Sequence, residues 1–131
     1  MERSDDWFKQ AQNDLAWARH TMDGGFFAQA CFAAQQATEK GVKSVIESRH
    51  GRGWGHSITH LLKEAFKPGE VDRNIIKGAL ELDQYYVTSR YPNGFAAGAP
   101  LEYFTREQAE KALGHAERII KFCESKLQGQ D

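Results

Sequence analysis

The sequence predicts an all-α fold, an antiparallel up-and-down helical bundle of four long helices plus one short helix. Apolar residues recur at intervals of three and four through five segments, and turn residues separate those segments. No segment carries a convincing strand pattern. The 131 residues have the size of one domain, and no linker or repeat divides them. Residues 1–131 are therefore predicted to form a single helical domain.

The first two helices are bounded by a cap and by glycines. Ser4 is a suitable N-cap for the first helix, which Gly24 and Gly25 bring to an end. The second helix is predicted over residues 26–50 and stops at Gly51. A stripe of small residues runs along it, beside the larger apolar one: Ala30, Ala33, Ala37, Gly41 and Ser44. Such a stripe allows close approach of another helix, either inside the bundle or across a homodimer.

The remaining three helices have clear boundary signals as well. Ser57 is a natural cap for the short third helix, and Pro68 follows its end. The fourth helix is predicted over residues 71–87. Thr105 and Gln108 have the spacing of a capping box, which predicts the start of the fifth helix.

Composition narrows the possible classes of protein. The formal net charge is −1, from 17 basic and 18 acidic residues, which argues against a protein that coats nucleic acids generally. The chain has only two cysteines, Cys31 and Cys123, which is too few for a disulfide framework. Both fall in apolar helical patterns, which is typical of reduced cysteines in a cytoplasmic protein. No apolar run approaches 18 residues, and the charged N-terminus has no signal-peptide pattern. We expect a cytoplasmic protein with no membrane span.

Residues 89–104 form a long loop that carries four aromatic residues. Loops of this length are uncommon in compact domains unless they are functional or disordered. Arg90 can either bind the last carbonyls of the fourth helix or grip a phosphate with its planar fork. Tyr85, Tyr86 and Tyr91 can stack on a base or pack the end of the bundle. Pro92 favours an extended conformation at Tyr91.

Two segments of the chain form a pair of motifs. In residues 31–62 the motif positions are Gln36, Ala37, Glu39, Lys40 and Lys43, followed by His56 and Ser57 before the third helix. Residues 82–92, LDQYYVTSRYP, form the second motif. In this order, the two motifs resemble those of the HEPN family (higher eukaryotes and prokaryotes nucleotide-binding domain). The resemblance implies a helical bundle that usually dimerises and a role related to nucleotides or RNA. It also implies that a minimal nucleotidyltransferase is often the partner.

The matched polar residues have two readings each. One helix face carries Gln36, Lys40 and Lys43. Either this face is solvated, or the two lysines present positive charge to a nucleotide and the Gln36 amide forms a hydrogen bond with it. His56 precedes a helix N-terminus, where an anion is favoured, so it either helps to bind phosphate or makes a structural hydrogen bond. His56 and His60 are four residues apart, but no further ligand lies nearby in sequence, so we expect no metal site.

No catalytic residues are predicted. Ribonucleases of this family carry Arg-x(4–6)-His at the start of the late helix, and no histidine follows Arg90 at that spacing. Arg106 and His115 are nine residues apart, which places them on different helix faces. Arg49 and His56 have the right spacing but lie in the link before the third helix.

The sequence therefore favours a non-catalytic, HEPN-like nucleotide-binding or accessory protein with no cofactor. Its expected partners are a nucleotide of the ATP or GTP class or RNA, a second copy of the chain, and a nucleotidyltransferase. The predicted binding residues are Arg90, Tyr91, Lys40, Lys43, His56 and Gln36. The alternatives are a toxin-type ribonuclease that uses a noncanonical Arg/His pair, and a pure protein-interaction module.

Overall fold

The structure, a computed structural model, describes residues 2–129, and within them it confirms the all-α fold. The α-helices are α1 (Ser4–Asp23), α2 (Phe27–Ser48), α3 (Ile58–Ala65), α4 (Arg73–Asp83), α5 (Tyr85–Thr88) and α6 (Arg106–Gln128). Two short 3₁₀ turns, Pro92–Gly94 and Pro100–Glu102, lie between α5 and α6. Within residues 2–129, no helix has both the length and the apolar character needed to cross a bilayer.

α2 lies at the centre of the bundle, where it packs against α1, α3 and α6. α4 packs against α6 and α3. The small-residue stripe of α2 is buried within the chain. A Cβ atom placed on Gly41 would lie 3.2 Å from Cγ1 of Ile120 on α6, so the stripe serves the close approach of these two helices. The stripe does not supply a homodimer surface, and the homodimer stays a prediction.

Two of the three predicted side-chain caps are confirmed. The Ser57 hydroxyl caps α3, and Thr105 and Gln108 form the reciprocal capping box of α6. The cap predicted at Ser4 is wrong, because Ser4 is the first residue inside α1. The backbone N–H of Ser4 instead donates to the carboxylate of Glu2 at 2.5 Å. A carboxylate at a helix N-terminus satisfies a free amide and also interacts favourably with the helix dipole.

α2 ends two residues before the predicted position. Its last residue is Ser48, and His50 adopts a left-handed backbone conformation with φ of 65°. Histidine is one of the residues that enter this region more often than most. The backbone N–H of Gly51 then donates to the carbonyl of Ile46 at 2.9 Å, which satisfies a free carbonyl at the helix end.

The predicted fourth helix is divided into α4 and α5. The backbone N–H of Gln84 bonds to the carbonyl of Glu81 at 3.2 Å, a tight turn that interrupts the α-helical ladder. Asp83, the last residue of α4, turns its carboxylate to the start of α3. The helix also begins later than expected, after an Asp72 cap.

The long loop is ordered by its aromatic residues. The rings of Phe95 and Tyr103 stack at 4.0 Å, and Phe95 meets Phe104 edge-on at 6.4 Å. Phe104 is buried and contacts the ring of Tyr85 at 5.6 Å. Tyr91 is extended, with φ of −124° and ψ of 136°, as expected for the residue before Pro92. The front of the loop is therefore held in place at the end of α5.

Both cysteines are free and fully buried, and this has a consequence for stability at alkaline pH. Burial raises the pKa of the Cys31 and Cys123 thiols from 9.0 to about 12. In the unfolded chain the thiols ionise near pH 9, so the contribution of the buried neutral thiols is complete below pH 9. It is lost as the pH rises towards 12. We expect the free energy of unfolding to fall by up to about 1.4 kcal/mol per pH unit for each thiol in this window.

Urea denaturation at pH 8, 9 and 10 measures this effect. The variant with both Cys31→Ala and Cys123→Ala is expected to lose stability less steeply between pH 9 and 10 than the unmodified chain. Equal pH slopes for the two proteins would show that the thiols titrate normally in the folded state.

Candidate functional site

Arg90 lies immediately after α5 and is held in a fixed position. Its Nε and Nη2 atoms donate to the carbonyl of Tyr86 at 2.9 and 2.7 Å. The central carbon of its guanidinium lies 4.2, 4.7 and 5.0 Å from the ring centroids of Phe32, Tyr86 and Tyr91. The helix-capping reading of Arg90 is therefore correct. A guanidinium has five N–H donors, and Arg90 donates only through Nε and Nη2 within residues 2–129.

His56 meets Arg90 at the ring of Tyr86. The imidazole of His56 stacks on that ring at 4.4 Å with an interplanar angle of 16°. Its Nδ1 atom lies 3.1 Å from Oε1 of Glu39. A carboxylate only accepts hydrogen bonds, so Nδ1 carries a proton and Nε2 points away from Glu39. The side chain of His56 is 54% exposed, so the imidazole is accessible from solvent.

These residues adjoin a shallow pocket of about 240 Å³. Its lining residues are His56, Ser57, Asp83, Gln84, Tyr86 and Val87. Tyr91, which is 50% exposed, contacts Arg90 on the same part of the surface. We call the four residues His56, Tyr86, Arg90 and Tyr91 the Arg90 surface.

The N-terminus of α3 is not available to an anionic ligand. Oδ1 of Asp83 accepts from the backbone N–H of Ile58 at 2.7 Å, and Oδ2 accepts from that of Thr59 at 3.1 Å. Oδ2 also accepts from the hydroxyls of Thr59 and Ser57 at 2.7 and 3.2 Å. A helix start favours an anion, and here that anion is the Asp83 carboxylate of the chain itself.

The other predicted binding residues are engaged elsewhere. Lys40 forms an ion pair with the carboxylate of Asp14 on α1. The amide of Gln36 donates to Oε1 of Gln35 at 2.8 Å. Lys43 is buried and lies 2.9 Å from Oε2 of Glu39. The structure thus brings His56, Arg90 and Tyr91 together but does not place the two lysines on that surface.

Glu39 matches the family motif, but its place at the centre of a hydrogen-bond network was not predicted from the sequence. Its side chain is 5% exposed, and three donors surround it: Lys43, His56 and the amide of Gln35 at 3.2 Å. The same Gln35 amide donates to the backbone carbonyl of His56 at 3.0 Å. This buried network fixes the position of His56 relative to α2. On sequence alone, Glu39 and Lys43 have the spacing of an ordinary helix-surface pair.

The arginine–histidine pairs counted in the sequence do not meet in the structure. Arg49 donates to the carbonyl of Ala65 and lies 4.9 Å from the ring of Phe66. Arg106 lies over the ring of Phe27 at 5.0 Å. His115 lies 2.8 Å from the carboxylate of Glu81. Arg90 and His56 instead share a neighbour, the ring of Tyr86. Elsewhere, Nη1 of Arg118 lies 3.4 Å from Nδ1 of His115.

Comparison with known proteins connects this geometry to a family. The sequence profile described as the HEPN domain matches residues 4–126. A curated protein of Methanocaldococcus jannaschii, named "Putative toxin MJ1304", is 28% identical over 124 residues, which cover 88% of this chain and 82% of that protein.

Three solved structures are similar over nearly the whole chain. TT1696 from Thermus thermophilus is 40% identical, with a TM-score of 0.93 over 96% of this chain and 99% of that one. ST0689, described as an archaeal HEPN homologue, is 38% identical, with a TM-score of 0.81 over 95% and 98%. A HEPN domain protein from Thermotoga maritima is 34% identical, with a TM-score of 0.78 over 95% and 99%.

Proposed function

This chain belongs to the HEPN domain family, and on that basis we propose that it binds a nucleotide without catalysing a reaction. The binding site in this proposal is the Arg90 surface. The nucleotide is of the ATP or GTP class, or is a nucleotide of an RNA chain. Family resemblance extends the proposal to two protein partners, a second copy of the chain and a nucleotidyltransferase.

The observation that carries the proposal is the fixed position of Arg90 among aromatic rings on an accessible surface. Two of its N–H groups are bound to the Tyr86 carbonyl, so the guanidinium does not have to be ordered when a ligand arrives. Its remaining donors suit the oxygens of a phosphate, which arginine binds with a planar fork. The half-exposed ring of Tyr91 offers a face on which a base can stack.

His56 completes this surface. Its Nε2 atom is free to accept from or donate to a ligand, because Glu39 holds Nδ1. Lys40 and Lys43 are not part of the proposed site, because Lys40 pairs with Asp14 on α1 and Lys43 lines a different pocket. Arg90 is therefore the principal positive charge of the site.

Nucleotide binding is tested by thermal unfolding with ATP and GTP. A ligand at 100 times its Kd adds about 2.7 kcal/mol of stability, which corresponds to a Tm increase of roughly 8 °C for a chain of this size. We expect that increase in the unmodified protein and its loss in Arg90→Ala. Arg90→Lys should keep only part of the Tm increase, because lysine retains the positive charge but cannot donate two parallel hydrogen bonds from a planar group.

Arg73→Ala is the matched control, because it removes one exposed positive charge at the far end of α4 from Asp83. Its nucleotide-dependent Tm increase should equal that of the unmodified protein. If saturating ATP and GTP leave the Tm of the unmodified protein unchanged, the nucleotide-binding proposal is wrong. If Arg73→Ala and Arg90→Ala lose the increase equally, binding is a general charge effect.

A second candidate function is metal-independent ribonuclease activity. It is favoured by one observation, the carboxylate-bound imidazole of His56 next to Arg90 across the Tyr86 ring. In that role His56 would act as a general base on a ribose hydroxyl while Arg90 steadies the phosphate. RNA cleavage in the presence of EDTA, lost in His56→Ala, would favour this function. Intact RNA after prolonged incubation would favour the non-catalytic one.

A further inference from the structure

A second pocket, of about 460 Å³, lies apart from the Arg90 surface. Its wall includes Trp7 of α1, Lys43 of α2, and the segment that leads from α2 to α3. None of the four residues of the Arg90 surface is on this wall. Its volume is within the range of small-molecule binding sites in proteins.

Lys43 brings a buried positive charge to this pocket. Its side chain is 10% exposed, and its Nζ atom lies 2.9 Å from Oε2 of Glu39 and 5.5 Å from the centroid of the Trp7 ring. A lysine ammonium has three N–H donors. Within residues 2–129, Glu39 is the only hydrogen-bond acceptor of this ammonium. Two of its N–H donors therefore have no acceptor among the described residues.

Trp54 is the most exposed aromatic residue on the wall of the pocket. It is 74% exposed and stands between Gly53 and Gly55. A Cβ atom on Gly53 would lie 2.8 Å from Cγ of Lys43, so glycine is needed for the backbone to pack against the lysine stem. The segment between α2 and α3 therefore packs against Lys43 at Gly53, while the indole of Trp54 faces solvent. An exposed indole gains free energy when a flat ring stacks on it.

Arg52 adds a second cation to the same wall. Among residues 2–129 its guanidinium has no ion pair or hydrogen bond. Arg3, also on the wall, is paired with Asp6 at 3.0 Å. The wall carries three cations, Arg3, Lys43 and Arg52, and two carboxylates, Asp6 and Glu47. Two indoles and two cations with free donors are complementary to a flat ring that bears a negative charge.

We propose that this pocket binds a small molecule made of a flat aromatic ring and one anionic group. The ring stacks on the indoles of Trp7 and Trp54, and Lys43 and Arg52 hold the anionic group. The same chemistry occurs in nucleoside monophosphates and in aromatic carboxylates. This is a site separate from the Arg90 surface, so the proposal does not depend on the function proposed above.

Calorimetric titration with four probes tests it, in the full chain carrying Arg90→Ala so that the other surface does not contribute. AMP and indole-3-acetate represent the two sources of the ligand. Adenosine has the ring without the charge, and inorganic phosphate has the charge without the ring. We expect AMP or indole-3-acetate to bind, and the adenosine and phosphate to bind at least about tenfold more weakly because each lacks one contact.

Trp54→Ala and Arg52→Gln change exposed side chains, so both variants should fold. Each is expected to raise the Kd of the binding probe at least about fivefold, the lower end for the loss of one stacking or charged contact. Trp17→Ala removes an exposed tryptophan outside the pocket and should leave the Kd unchanged.

Two results would overturn the proposal: no binding of AMP or indole-3-acetate at millimolar concentration, or binding that neither Trp54→Ala nor Arg52→Gln weakens. The two proposals are separable by variant. ATP-dependent stabilisation that survives Trp54→Ala but not Arg90→Ala supports the Arg90 surface alone. Binding of AMP or indole-3-acetate that survives Arg90→Ala but not Trp54→Ala supports the tryptophan pocket alone.

Discussion

Glu39→Ala is expected to lower the free energy of unfolding by about 3–5 kcal/mol, the usual consequence of leaving one partner of a buried ion pair alone. The ammonium of Lys43 stays buried after this change but loses its carboxylate. Gln35 and His56 lose an acceptor at the same time. Urea denaturation, which gives both the midpoint and the slope of unfolding, measures the loss.

Two further variants identify the cause of that loss. Glu64→Ala removes a carboxylate from an exposed pair with His60 and should cost about 0–1 kcal/mol. Adding Lys43→Met to Glu39→Ala removes the unpaired charge, so the double variant should be more stable than Glu39→Ala alone. If the two changes instead lower stability additively, the buried charge is not the reason for the effect.

The parts of the fold that follow local rules could be predicted from the sequence. The capping box of Thr105 and Gln108 needs only a spacing of three residues, and the Ser57 cap needs only its position before an apolar helix. The Ser4 prediction failed because a second capping side chain, Glu2, lies two residues earlier. Local sequence patterns identify the residues that can cap a helix. They do not show which of two nearby candidates makes the hydrogen bond.

The site was less predictable because its geometry comes from contacts between distant segments. Phe32 on α2 packs against Arg90, which lies beyond α5, and no spacing rule connects them. Lys43 appeared to be a surface residue on sequence alone. The link after α2 folds back with Gly53 against its stem and helps to bury it. Arg90 stays a predicted site residue. Lys40 and Lys43 also matched positions of the family motif, but in the structure both are held in ion pairs, with Asp14 and Glu39.

Asp83→Ala is expected to lower the free energy of unfolding by about 2–3 kcal/mol. The carboxylate of Asp83 accepts four hydrogen bonds from the first residues of α3, two of them from backbone N–H groups of Ile58 and Thr59. Hydrogen bonds to a charged group contribute more than neutral ones, and unsatisfied amides at a helix start are costly. Thermal or urea unfolding gives the total, and amide exchange at Ile58 and Thr59 should accelerate.

Asp72→Ala is the matched control, since Asp72 caps α4 through the amides of Asn74 and Ile75 within its own segment. A local cap of this kind contributes about 1 kcal/mol, so Asp83→Ala should cost clearly more. The Asp83 variant also leaves the start of α3 open to an anion, and inorganic phosphate should therefore stabilise it more than the unmodified protein. Equal costs for the two variants, with no rescue by phosphate, would mean that water replaces the Asp83 carboxylate without loss. In that case the contact between α4 and α3 would be stabilised by apolar packing and not by the Asp83 carboxylate.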